Sequence, residues 1–363
     1  MSDAKPGSTD TVLEVRDLRV HFPLDEGLLK AVDGVDFDVK RGSTLGLVGE
    51  SGCGKSVTSQ AILRIVPRPG ITTGRVHLIR KSNGGFDRVD IGSMDDEGEE
   101  IRAIRGKDIA MIFQEPMTCF SPYYTMGNQL MEPILLHRTN DRDAAREIAV
   151  AMLREVGIAE PEKALDGYPH EFSGGMRQRV MIAMALSCNP LLLIADEPTT
   201  ALDVTIQAQV LELMKQLQAE FGMSMLYITH DLGVIAEICD EVAVMYLGRI
   251  VERADAVPLF QDPLHPYTRG LLRSIPKIDA KERERLKSIE GTVPLPLDLP
   301  LRCGFCDRCE FSIPGLCDAR DVPMVEVKPG HAVRCFLFPQ CVEALGTEAQ
   351  PRTSEVPTSE VRP

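Results

Sequence analysis

The sequence contains no apolar run near the roughly 20 residues that a membrane-crossing helix needs. Its longest candidates, such as the stretch at 191–195, are strand-sized, so the chain is not expected to cross a bilayer by itself. A secretory leader is also missing. The opening MSDAKPGSTD has no basic region followed by an apolar stretch, and the expectation is a protein that stays inside the cell. Positive charge is scarce: 54 Asp and Glu against 40 Lys and Arg leave a formal net charge of −14. Nucleic acid is gripped by basic surfaces, so it is not an expected partner. What is present is a 363-residue chain, 44% hydrophobic, able to bury a full core in two or three domains. Cysteine is plentiful, and six of the ten fall between Cys303 and Cys341. In a cytosolic chain such clusters are more often metal ligands than disulfides.

Period-two apolar patterns at Val12 to Phe22 and Gly34 to Val39 predict strands, separated from the run TLGLVG by the turn KRGS. RVHLIR, KSNGG and FDRVDI read as an exposed hairpin insertion, followed by the solvated acidic loop SMDDEGEE. Helical spacing appears over 141–157 and again over 205–221, the second with a start at Asp203. LLLIADEP and SMLYITHD are short apolar runs ending in polar residues. That is the pattern of buried parallel strands whose C-terminal ends face a ligand. The fold class is therefore α/β. The end of the chain repeats TSEV amid Pro and polar residues, a composition that buries no core, and 346–363 is expected to be disordered.

The strongest local signal is GESGCGKS, Gly49 to Ser56, between a strand and a helix. This is the pattern of a phosphate-binding loop. Gly49, Gly52 and Gly54 let backbone N–H groups turn toward phosphate oxygens, Lys55 reaches the β and γ phosphates, and the Ser56 hydroxyl can ligate Mg²⁺. Glu50, Ser51, Cys53 and Val57 complete the expected nucleotide contacts, with Cys53 a small backbone-presenting residue and not a nucleophile. Further along, Asp196 and Glu197 end the apolar strand LLLIADEP. Adjacent carboxylates there can divide the work, Asp196 holding the Mg²⁺ shell and Glu197 polarising the attacking water.

FSGGMRQR, Phe172 to Arg179, resembles the signature peptide of ATP-binding-cassette (ABC) proteins. Gln114 in MIFQEP resembles their Q-loop glutamine and a Mg²⁺ ligand, Ala201-Leu202-Asp203 their D-loop, and His230 in YITHD their switch histidine. Over residues 12–337 the chain is more closely similar to the ATPase subunits of oligopeptide, dipeptide and nickel importers, through GYPHEFSGGMRQRVMIAMAL, DEPTTALDVTIQAQVL and HPYTRGLL. It departs from them at CFSPYY, in a longer hairpin at 75–91, and in an extra Cys306.

That resemblance implies a P-loop NTPase (RecA-like) core with a β-subdomain and a helical subdomain at about 115–180. The nucleotide-binding domain would span 12–255 after a flexible 1–11, an HPYT-bearing extension 256–300, and a Cys-rich segment 301–345. It implies an ATP-hydrolysing subunit, peripheral on the cytoplasmic face of the inner membrane. Its partners would be a second ATPase subunit, two permease subunits and, indirectly, an extracytoplasmic solute-binding protein. ATP would lie between one phosphate loop and the partner's signature, Ser173 to Met176 here. Ser173, Gly174 and Gly175 precede an apolar helix and so present N–H groups to a phosphate. Asp203 would adjoin the shared site, Phe22 would stack on adenine, and 114–131, including Tyr123 and Tyr124, would meet the permease. The cargo stays open among peptide, nickel and oligosaccharide. An ABC ATPase acting on DNA or ribosomes is the alternative, opposed by the acidic charge and HPYT. Family tails with cysteines match Cys303, Cys309, Cys317 and Cys335, implying a four-iron, four-sulfur cluster, with zinc as the alternative. Spacings of five, seven and seventeen intervening residues suit a loop around a cubane. The cluster is read as a staple for a loop-rich segment separable from ATP binding.

Overall fold

The computed structural model describes residues 10–82, 85–114, 119–200, 202–274 and 289–347. The expected flexible start before residue 10, Ala201 of the D-loop and the tail after 347 lie outside the described residues.

The first half is built on an antiparallel ribbon. β1 (Thr11–Leu24) pairs with β2 (Gly27–Lys40) and with β4 (Ile71–Ser82), and β5 (Gly85–Asp90) pairs with β4, in the order β2-β1-β4-β5. The expected hairpin insertion is thus only half an insertion. β4 carries buried Val76 and Leu78, paired with Val15 and Leu13 of β1, so it is a structural strand, while β5 is the largely exposed edge.

The second sheet has eight strands in the order β11-β12-β10-β9-β3-β8-β7-β6. β3 (Thr44–Val48), β6 (Ile109–Ile112), β7 (Leu192–Asp196), β8 (Ser224–Thr229) and β9 (Glu241–Tyr246) are parallel. β3, β7 and β8 are buried along their whole length, as expected of strands covered on both faces. Alternate side chains enter different cores: Leu192 and Ile194 pack toward the antiparallel sheet, and Leu193 and Ala195 toward the helices.

Between these strands run α1 (Lys55–Ile62), α2 (Glu99–Ile104), α3 (Met126–His137), α4 (Arg142–Glu155), α5 (Pro161–Ala164), α6 (Gly174–Leu186), α7 (Val204–Phe221) and α8 (Leu232–Ile238). Asp141 caps α4 through the Asp143 amide at 2.9 Å, and Asp203 caps α7 through the Ile206 amide at 3.0 Å. Such caps satisfy donors that the first turn leaves free, at about 1 kcal/mol each. α3, α4 and α6 pack together as the helical unit.

The C-terminal part does not break away from this sheet. β10 (Arg249–Asp255) pairs with β12 (His331–Val333), which pairs with β11 (Val325–Lys328), and α9 (Ala256–Gln261), α10 (Pro266–Arg273) and α11 (Pro339–Thr347) surround them. α11 continues two residues into the stretch expected to be disordered. Beyond β2, the Lys30 amide donates to Pro296 O at 2.8 Å and the Asp298 amide to Leu28 O at 3.0 Å, so the segment after α10 returns to the first sheet.

Candidate functional site

β3 ends at Val48, and the chain turns through Gly49–Ser56 into α1. Two glycines make the turn possible. Gly54 has φ +101°, and a Cβ there would stand 2.2 Å from Ala31 O; one on Gly49 would stand 2.2 Å from Met245 O. Cys53 is fully buried, and burial pushes its thiol up despite Lys55, so a backbone role suits it better than nucleophilic attack. Lys55 is also buried, and its Nζ donates to Gly49 O at 2.8 Å and Glu50 O at 3.1 Å.

The fully buried strand β7 delivers Asp196 and Glu197 to the same place. Ser56 Oγ donates to Asp196 Oδ1 at 3.1 Å, joining residues 140 positions apart. Burial pushes the Asp196 carboxyl up to about 6; the Ser56 hydrogen bond opposes this and the charge on Glu197 adds to it. Glu197 has φ +47°, and its amide donates to Ile228 O at 2.8 Å, which turns its side chain out of the strand direction. Its carboxylate collects three partners: Thr200 Oγ1 at 2.9 Å, Gln114 Nε2 at 3.2 Å and His230 Nδ1 at 3.1 Å. Burial raises this carboxyl, but His230, Thr200 and the charge on Lys55 outweigh it, and its pKa lies below the ordinary value. Three residues expected to be catalytic are thus brought into contact. Thr200 was not foreseen; it lies within DEPTT, where nothing distinguishes it from Thr199.

Ser173 caps α6, its Oγ accepting from the Met176 amide at 3.3 Å, and Ser173 and Met176 are exposed. Among the described residues, none of the hydrogen bonds of Ser173–Met176 reaches Gly49–Ser56. Phe22 is half-buried against the core behind β1, with its ring edge facing Gly70.

The ABC transporter family matches this chain over residues 32–200, and the C-terminal region of oligopeptide/dipeptide transporters matches over 251–317. The oligopeptide transport ATP-binding protein AppD of Bacillus subtilis is 49% identical over 330 residues, 90% of this chain and 97% of that protein. The dipeptide transport ATP-binding protein DppD of the same organism is 47% identical, covering 92% and 97%. The chain belongs to the ABC transporter ATP-binding proteins. A dimeric ATP-binding cassette solved in a post-hydrolysis state with ADP and phosphate superposes with a TM-score of 0.58 at 25% identity, over 67% of this chain and 98% of that one. As a member of this family the ABC protein is an ATPase, and ATP with Mg²⁺ fits the residues just described. The alternative of a cassette acting on DNA or ribosomes is not favoured. Among the described residues no helix is long and apolar enough to cross a membrane.

The Cys-rich segment of this ABC protein has a small core of its own, in which Cys306, Cys317, Cys335 and Cys341 pack with Leu264, Val322, Val333 and Phe336. All six of its thiols are free. Cys306 Sγ donates to Asp307 Oδ1 and Cys341 Sγ to Val333 O, both at 3.5 Å, while Cys317 Sγ accepts from the Ile313 amide at 3.4 Å. Cys303 has Cys317, Cys306 and Cys335 as electrostatic neighbours, and Cys335 has Cys309, Cys317 and Cys341, so Cys306 and Cys341 are not set apart from the other four. Burial, reinforced by neighbouring thiols, pushes Cys303 and Cys335 up to about 12. Among the described residues no three Cys, His, Asp or Glu side chains form a group that could hold a metal ion, so the expected metal-binding character of the segment is not established.

The segment also touches the Gly49–Ser56 turn. Arg308, between Cys306 and Cys309, forms a two-pronged ion pair with Glu50, at 2.7 and 3.1 Å. This contact argues against the expected separability of the tail. No pattern in the sequence marks Arg308, whereas Tyr267, whose hydroxyl accepts from the Glu50 amide at 2.8 Å, sits in the HPYT element.

Proposed function

We propose that this ABC ATPase powers the import of peptides, working from the cytoplasmic face of the inner membrane with a second ATPase subunit, two permease subunits and, through them, a solute-binding protein. The names of its relatives, which include oligopeptide and dipeptide transport, support peptide over nickel or oligosaccharide as cargo. The observation that carries the catalytic reading is the convergence of Gln114, His230 and Thr200 on Glu197 beside the Ser56–Asp196 pair.

Gly49–Ser56 and Val57 hold the phosphates, with Lys55 exchanging loop carbonyls for phosphate oxygens. Ser56, Asp196 and Gln114 hold Mg²⁺, whose chemistry is to neutralise developing phosphate charge. Glu197 orients and polarises the attacking water, and an ionised carboxylate accepts only, so His230 keeps its proton on Nδ1 and turns Nε2 toward the γ-phosphate side. Ser173 to Met176 are the exposed half-site for the partner's nucleotide, and Asp203 stands at the same junction. The dimeric cassette neighbour supports this arrangement. Phe22 is the proposed adenine platform. Tyr123 and Tyr124, 85% and 59% exposed just before α3, are the proposed permease contact.

Cys303, Cys309, Cys317 and Cys335 are proposed to hold a four-iron, four-sulfur cluster. The support is the resemblance and the spacing of the four cysteines along the chain, which suits a loop around a cubane better than two tight pairs around zinc. The cluster would cross-link a segment short of core.

The function is tested in proteoliposomes containing the permease and both ATPase subunits. Peptide-stimulated ATP hydrolysis and peptide uptake should both require this subunit, and charged residues at Tyr123 and Tyr124 should abolish uptake while the folded subunit still binds ATP. Stimulation by nickel or oligosaccharide instead of peptide would reassign the cargo.

A further inference from the structure

Glu50, second residue of the phosphate loop, is held from two sides by residues that follow it by more than two hundred positions. Its amide donates to Tyr267 Oη at 2.8 Å. Its carboxylate accepts Arg308 Nη1 at 2.7 Å and Nη2 at 3.1 Å. Arg308 is only 6% exposed and is itself fixed, with Nε donating to Glu290 O at 3.0 Å and Nη2 to Gly291 O at 3.2 Å. Its guanidinium lies over the rings of Tyr246 and Phe305, at 5.8 and 5.9 Å. Tyr246 from β9, Tyr267 from α10 and Phe305 from the Cys-rich segment form one aromatic cluster, with centroids 4.7 to 5.4 Å apart. Tyr267 is fully buried and held in turn: its amide donates to His265 Nδ1 at 3.0 Å, while the Leu264 and His265 amides donate to the buried carboxylate of Glu252.

A carboxylate in a loop that must receive a polyphosphate opposes its ligand unless a cation neutralises it. Arg308 supplies that cation in a fork geometry that also fixes direction. It does so from the one-turn 3₁₀ helix Cys306–Arg308, whose position depends on the fold of the cysteines around it.

We propose that Arg308 and Tyr267 are positioning residues for the phosphate loop, anchoring Glu50 and cancelling its charge, so that ATP affinity is set partly by the folded state of the Cys-rich segment. The proposal rests on Gly49–Ser56 being the phosphate loop.

The test is the affinity of the purified full-length chain for a fluorescent ATP analogue, with folding followed by circular dichroism. Arg308→Ala should weaken binding about tenfold, and Glu50→Gln in the same chain should restore most of it, because no uncompensated carboxylate remains. A role in stability alone would show no such rescue. Arg308→Lys, which keeps the charge and loses the fork, should weaken binding about threefold. Cys309→Ser should act like Arg308→Ala, with the same rescue. An Arg308→Ala affinity within about twofold of wild type, or no rescue, overturns the proposal; should that variant not fold, wild-type affinity in Arg308→Lys does so. Lys55→Ala separates the two readings: unchanged binding there would remove the loop assignment itself.

Discussion

His230 Nδ1 lies 3.1 Å from Glu197 Oε1, although the two residues follow the ends of different strands, β8 and β7. The contact orients the histidine and helps hold the carboxylate in its ionised form, which is the form that can polarise water.

Glu197→Gln should therefore reduce steady-state ATP hydrolysis by at least about a hundredfold while leaving nucleotide affinity nearly intact. The same variant should accumulate as an ATP-bound dimer, visible by light scattering. Near-normal turnover in the assembled transporter would remove Glu197 from the catalytic role. His230→Ala should also slow hydrolysis, because it removes the proton that fixes the acceptor.

Gly54→Ala should abolish nucleotide binding with little effect on the rest of the fold. Its Cβ would meet Ala31 O at 2.2 Å in a backbone with φ +101°, so the loop must move and its N–H groups lose their aim. Isothermal titration with ATP checks this; retained affinity would show that the turn tolerates a different backbone path.

His265 adds a pH dependence to stability. Burial pushes its imidazole down to about 4, with Glu252 opposing, and the neutral ring accepts the Tyr267 amide through Nδ1. Between about pH 6.5 and 4 the unfolded chain binds a proton that the folded chain refuses. The stabilisation is thus complete above about pH 6.5 and is lost as the pH falls through about 4, a change of about 3 kcal/mol. Urea unfolding at pH 7 and pH 4.5 should show a smaller difference for His265→Gln than for the wild type. Equal differences would mean that the ring titrates freely.

Chain purified without oxygen should be brown, with broad absorption near about 400 nm and about four irons per chain. Cys317→Ser should remove both the colour and the iron. One zinc per colourless chain would keep the cross-link and change the metal.

The residues proposed to be catalytic were legible because their pattern is local. A phosphate loop needs its glycines and lysine consecutive in the chain, and Asp196 and Glu197 are neighbours at one strand end. The starts of α4 and α7 were equally readable, since Asp141 and Asp203 cap them through amides two or three residues away. Legibility failed wherever partners were distant. β4 reads as a solvated hairpin until pairing with β1 brings Val76 and Leu78 into the core shared with the second sheet. The tail reads as a separate module until β12 joins β10 and Arg308 reaches Glu50 across 258 positions. By itself the sequence determined the α/β class, the ATP-hydrolysing chemistry its motifs carry and the elements up to about residue 230 that bear them, through short-range steric and hydrogen-bonding rules. Only the tertiary structure decided that the Cys-rich end grips the Gly49–Ser56 loop, because an ion pair between remote residues leaves no periodicity or spacing to read.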